Sequence, residues 1–165
     1  MKKFVAILTA LILLLPATAF ATTYTDPQNT LSFDYDDALF DISEDSVGEN
    51  DDHLVILAAK DEAWEGAYIR FYIYMQPEGE SVPTAESIAE TIPDVEVTQG
   101  EWNGFNEVVM YDNGDESLFL VPLTTGELLT VGVGGSDIED ENTAMDRDDA
   151  ISAVLDTLAI IPVTE

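Results

Sequence analysis

Two Asn-Gly pairs, Asn103-Gly104 and Asn113-Gly114, each stand between segments in which apolar and polar residues alternate. Asn-Gly readily supplies the positive φ angles of a tight hairpin, so residues 95–124 are committed to antiparallel strands joined by short turns. A further turn is expected at Thr125-Gly126, followed by a strand over 127–133. Upstream, Leu31, Phe33 and Tyr35 alternate with Ser32 and Asp34, which reads as a strand. A short strand is expected over Leu39 to Ile42, then a polar loop over Ser43 to Asp52. "HLVILAAK" is continuously apolar before its final lysine and reads as a strand buried on both sides. "AYIRFYIYM" alternates. Ala67, Ile69, Phe71, Ile73 and Met75 share one face, and Tyr68, Arg70, Tyr72 and Tyr74 share the other.

Two helices complete the pattern. Thr84 is placed to cap a short one, with Ala85, Ile88, Ala89 and Ile92 on one side and Pro93 as its stop. Ile151, Val154, Leu155 and Leu158 have the spacing of a closing helix that Pro162 ends. "SLFLVPL" and "HLVILAA" need apolar cover above and below, and two helices are available to give it. The expected fold is therefore α+β: a three-layer α/β/α sandwich with a central antiparallel sheet and one helix on each side.

"YTDPQNTLSFDYDDALFDISED" resembles the opening hairpin of PsbP-like domains, and "GEWNGFNEVVMYDNGDESLFLVPLTTGELLTVGV" followed by "ISAVLDTLAI" resembles their C-terminal half. Asp36-Asp37 stand where that family usually has proline. The resemblance implies the same α/β/α sandwich and an exported, mostly non-enzymatic role in binding or assembly. No site motif matches, so it assigns a role to no individual residue.

Lys2 and Lys3, the apolar run Phe4 to Leu15, Pro16 and Ala19-Phe20-Ala21 have the order of a secretory signal peptide, with cleavage expected after Ala21. Residues 22–165 then form a single domain, periplasmic or extracellular, with no stable membrane insertion once the leader is gone. A monomer is expected. The chain has no cysteine, so its stability depends on a core and not on disulfides.

Charge narrows the partners. The chain has 34 acidic and 5 basic residues, for a net −29. Removing Lys2 and Lys3 leaves 3 − 34 = −31, against magnitudes of roughly 2–8 for a small soluble domain. Such a surface repels nucleic acid and anionic lipid and attracts cations or a basic protein. An acidic shell also keeps a protein hydrated in salt, so a salt-adapted structural protein of the cell envelope is the second reading. A small carboxylate-based hydrolase is the third.

Catalytic motifs are sparse. His53 is the sole histidine and is expected at a strand end beside solvent. No G-x-S-x-G turn supplies a nucleophile for it, and no enzyme activity is expected. Gly132-Val133-Gly134-Gly135 lacks the lysine and helix of a phosphate loop. Tyr68, Arg70, Tyr72 and Tyr74 form a candidate ligand groove, with a cation–π contact to Arg70. The alternative is a face packed under a helix, with Arg70 neutralised by a carboxylate. The acidic tract Ser136 to Asp149 places Asp137, Glu139, Glu141 and Asp148 at positions 1, 3, 5 and 12 of a candidate calcium loop, although position 6 is Asn142 where glycine is usual. Without metal, Thr143 is placed to cap the last helix, with Asp146, Asp148 and Asp149 at its positive end. No cofactor other than calcium is suggested.

Overall fold

The alternating 67–75 segment lies at the middle of a large sheet. The computed structural model describes residues 21–161, apart from 29, 65 and 78. Its strands are β1 (Ala21–Thr25), β2 (Leu31–Asp36), β3 (Phe40–Val47), β4 (His53–Ala59), β5 (Tyr68–Met75), β6 (Val97–Trp102), β7 (Phe105–Asp112), β8 (Glu116–Pro122), β9 (Glu127–Gly134) and β10 (Ala159–Ile160). The helices are α1 (Ala85–Thr91) and α2 (Glu141–Leu155), with a single 3-10 turn at Glu62–Trp64. Seven strands form one antiparallel sheet in the order β3-β4-β5-β9-β8-β7-β6, and three form a second in the order β1-β2-β10.

The core lies between the sheets. Val55, Leu57, Ile69, Phe71, Ile73, Leu129 and Val131 cover one face of the large sheet, its inner face. Leu31 and Phe33 of β2 meet that face, joined by Ile151 and Val154 of α2 and by Leu158 beyond it. Phe33 stacks on Phe71 with ring centroids 4.6 Å apart, and Tyr24 stacks on the far side of Phe33 at 4.9 Å. The outer face is covered only in part. There Val109, Leu120 and Leu128 are buried with help from Tyr74, Val97, Tyr111 and Ile88 of α1.

The three-layer α/β/α sandwich expected from the sequence is therefore not the fold. The chain is mostly β, and the inner face is covered largely by the small sheet, assisted by α2. On the other side α1 has only seven residues and no fully buried side chain. A helix that short spans about 10 Å and cannot roof seven strands.

Local departures have local causes. The loop expected from Ser43 is shorter, because β3 continues to Val47 in register with β4 after a bulge between Ile42 and Glu44. Asn103 and Gly104 both have positive φ, as their hairpin requires. The turn after β7 is different. Asn113 accepts hydrogen bonds from the Asp115 and Glu116 amides through its side chain, so only Gly114 carries the positive φ. Leu158 lies beyond the end of α2, just before β10, which pairs with β2. Residues 1–20 and Pro162 lie outside the described residues. Ala21, taken as the last leader residue, is the first residue of β1 and pairs with Asp36.

Gly135 tests the packing where β9 ends. Its φ is +147°, and a Cβ there would stand 2.8 Å from the Ala67 Cα. Gly135→Ala is expected to cost about 1–3 kcal/mol, since backbone must move to admit the methyl group. Gly100→Ala, with no atom within 4 Å of the added Cβ, should stay within about 0.5 kcal/mol. Urea unfolding of the two variants checks the contrast.

Candidate functional site

Alternation along β5 places Tyr68, Arg70, Tyr72 and Tyr74 in one row on the outer face. Tyr74 lies at the edge of the patch that α1 covers. The others face a more open surface toward β3 and β4, where Val47, Asp52, Leu54, Arg70 and Tyr72 line a shallow groove of about 370 Å³.

The row is held rigidly by acids. Glu116 of β8 takes both sides of the Arg70 guanidinium: Nε donates to Oε1 at 3.1 Å and Nη2 to Oε2 at 2.6 Å. The Tyr68 hydroxyl donates to the same Oε1 at 2.7 Å. This three-residue knot lies flat over β9 because β9 carries glycine beneath it. A Cβ at Gly134 would stand 2.5 Å from the Tyr68 ring, and one at Gly132 3.0 Å from Glu116 Oε1. The glycines that failed as a phosphate loop therefore serve this packing. Tyr72 donates to Asp52 Oδ2 at 2.7 Å and stacks with Tyr74, centroids 5.1 Å apart and planes 26° from parallel.

The candidate groove residues thus fall into two pairs. Arg70 and Tyr68 converge on Glu116, while Tyr72 and Tyr74 form a separate aromatic wall. Arg70 is neutralised by a carboxylate, as the alternative reading required. Burial, followed by the Glu116 hydrogen bond, pushes the Tyr68 hydroxyl up to about 12. The Tyr72 hydroxyl is raised chiefly by its bond to Asp52, and that same bond holds the Asp52 carboxyl below its ordinary value.

His53 corrects the expectation of a solvent-facing strand end. It is 1% exposed, because its side of β4 is the inner one, beneath the segment that links β1 to β2. Its Nε2 is 2.8 Å from Asp45 Oδ1, and its Nδ1 is 3.5 Å from Asp26 Oδ2. Asp26 is itself 3% exposed. It accepts from the Thr30 amide (2.6 Å), the Thr30 hydroxyl (2.8 Å) and the Leu31 amide (2.7 Å). The Tyr24 hydroxyl is buried in the same region, and burial followed by the Asp45 charge raises its pKa. Sequence reading missed this cluster, since its members are far apart in the chain. The one available signal was a polar residue opening an otherwise apolar strand. Chemically it is a clasp: it ties the β1–β2 connection to β3 and β4, and its histidine is shut away from solvent.

The candidate calcium ligands do not assemble. Among the described residues no group of three or more histidine, aspartate or glutamate side chains is arranged to hold a metal ion. Asp137 and Asp148 line one cavity with Asp112, Asp115 and Glu116, and Glu139 and Glu141 lie outside it. Arg147 lines the same cavity, donating to Asp148 Oδ1 at 2.9 Å and to the Ser136 carbonyl at 3.1 Å. The helix cap is Asp140, not Thr143. Asp140 Oδ1 accepts from the Thr143 amide at 2.9 Å and its hydroxyl at 2.8 Å, which holds its carboxyl below the ordinary value. No protein-family model, no curated protein and no solved structure matches the chain. No helix among the described residues is long and apolar enough to cross a membrane.

Two outcomes follow from this geometry. Asp26→Ala leaves the Thr30 amide, the Thr30 hydroxyl and the Leu31 amide without their acceptor, and is expected to cost about 3 kcal/mol or more. A change under about 1 kcal/mol in urea unfolding would contradict the clasp. For Tyr68 the folded pKa lies above the unfolded value of 10.0. The unfolded chain therefore loses its proton first as pH rises, so stability should fall between pH 10 and about 12. Tyr68→Phe should flatten part of that fall when urea midpoints are compared across the range.

Proposed function

We propose that this chain is an exported, non-catalytic binding module whose acidic exterior docks a basic protein segment or collects cations, with the open half of the outer face as its docking surface. One observation carries the reading. Each of the three basic residues that remain after Lys2 and Lys3 already has a carboxylate partner: Lys60 with Asp41 at 2.9 Å, Arg70 with Glu116 at 2.6 Å and Arg147 with Asp148 at 2.9 Å. The remaining acids thus have no lysine or arginine of the chain to neutralise them, and only an external cation can. The absence of cysteine and the enclosure of the lone histidine support a role without a nucleophile–base pair.

Calorimetry with a hexalysine peptide tests the proposal. Saturable heat that shrinks as NaCl is added is the expected result, because exposed charges are screened over about 10 Å at 0.1 M salt. A melting temperature that rises with NaCl, with no peptide heat at any salt, would favour the salt-adapted structural protein instead.

A further inference from the structure

Beside the groove, on the other side of Tyr72, lies a second depression of about 260 Å³, lined by Asn50, Asp52, Tyr72, Tyr74, Met75, Pro77 and Glu80. Its composition differs from that of the rest of the acidic surface. Two tyrosine rings, already stacked on each other, form one wall. Met75, 58% exposed although it ends a strand whose other inward residues are buried, adds apolar surface with Pro77. Asp52 and Glu80 bring two carboxylates, and among the described residues no lysine or arginine lines the depression. Elsewhere on this face a guanidinium meets Glu116; here none does.

We propose that this depression is a binding site for an alkylammonium group, the end of a lysine side chain or of a free aliphatic diamine. The proposal rests on the reading of the chain as a module that faces basic partners and names the chemistry of one contact within it. An ammonium seated against the tyrosine rings gains the attraction of their π faces, and Asp52 and Glu80 supply charge-assisted acceptors. The methylene stem lies against Met75 and Pro77, as amphipathic cationic side chains lie on apolar surface. Tyr72 fixes Asp52 in place through their 2.7 Å hydrogen bond. That bond also favours the ionised carboxylate, so the acceptor is charged at neutral pH. Glu80 lines the same depression as Tyr72 and Tyr74, and the Tyr74 hydroxyl is raised by burial first and by the Glu80 charge second.

The test is a titration of the full chain at fixed ionic strength, followed by amide shifts of Tyr72, Tyr74, Met75 and Glu80. Two probes are used, cadaverine and Nα-acetyl-lysine N-methylamide. Saturable shifts with both, or with the lysine derivative alone, assign the site to a partner's lysine chemistry; shifts with cadaverine alone assign it to free diamines. Either result supports the site. Glu80→Gln, at an exposed residue, and Asp52→Asn, at a half-buried one, should each weaken binding by about tenfold. Glu139→Gln removes the same charge far from the pocket and should change it by less than about twofold. Absence of saturable shifts at these residues, or equal weakening by Glu80→Gln and Glu139→Gln, overturns the proposal. If hexalysine still binds in that case, the pocket fails and the module stands; if hexalysine fails as well, both fall.

Discussion

The structure depends on the contact between its two sheets. Phe33 of the small sheet lies on Phe71 of the large one, with Tyr24 behind it, and this stack fills the middle of the core. Hydrophobic contact is not directional, so it does not by itself set how the small sheet is placed. Buried Asp26 and His53, with the more exposed Asp45, supply direction. They join the turn after β1 to β3 and β4 through fixed hydrogen-bond and charge geometry beside the aromatic stack. Hydrogen bonds are directional, so Asp26, held by Thr30 and Leu31, and His53, held by Asp45, fix the approach of these segments where apolar contact alone does not.

Once the inner face is closed by that contact, the outer face is the part of the large sheet left partly open to solvent. With α1 so short, part of a seven-stranded sheet remains half-exposed around Leu54, Arg70 and Tyr72. An exposed sheet face invites aggregation unless it is charged or locked. Here the Arg70–Glu116–Tyr68 knot and the Tyr72–Asp52 bond keep the large side chains in place, and the excess of acids repels other copies of the chain. The same devices leave a hydrogen-bonded, partly aromatic surface, and the proposed docking of a basic segment rests on it.

Much of the large sheet could be read from residue order alone. The alternation in β5, the apolar run in β4 and the Asn103-Gly104 hairpin each follow from rules acting within a few residues. The small sheet could not be read so well. β1 begins at Ala21, at the edge of a leader-like segment, and β10 is only two residues long, so each exists because β2 is there to pair with it. That hidden sheet is why two helices looked like the only cover available. The site was partly readable for the same reason. Tyr68 to Tyr74 share a face by strand periodicity, whereas their partners Glu116 and Asp52 and the cluster around His53 come together only through long-range pairing. In so acidic a chain, any carboxylate could have been the partner.

The central claim is that a basic ligand seeks the open half of the outer face and not acidity in general. Mapping the amide shifts induced by hexalysine at moderate salt tests it most directly. The account predicts shifts concentrated on β4 and β5 around Leu54, Arg70 and Tyr72. Shifts spread evenly over the acidic surface, or centred on the tract from Asp137 to Asp149, would contradict it.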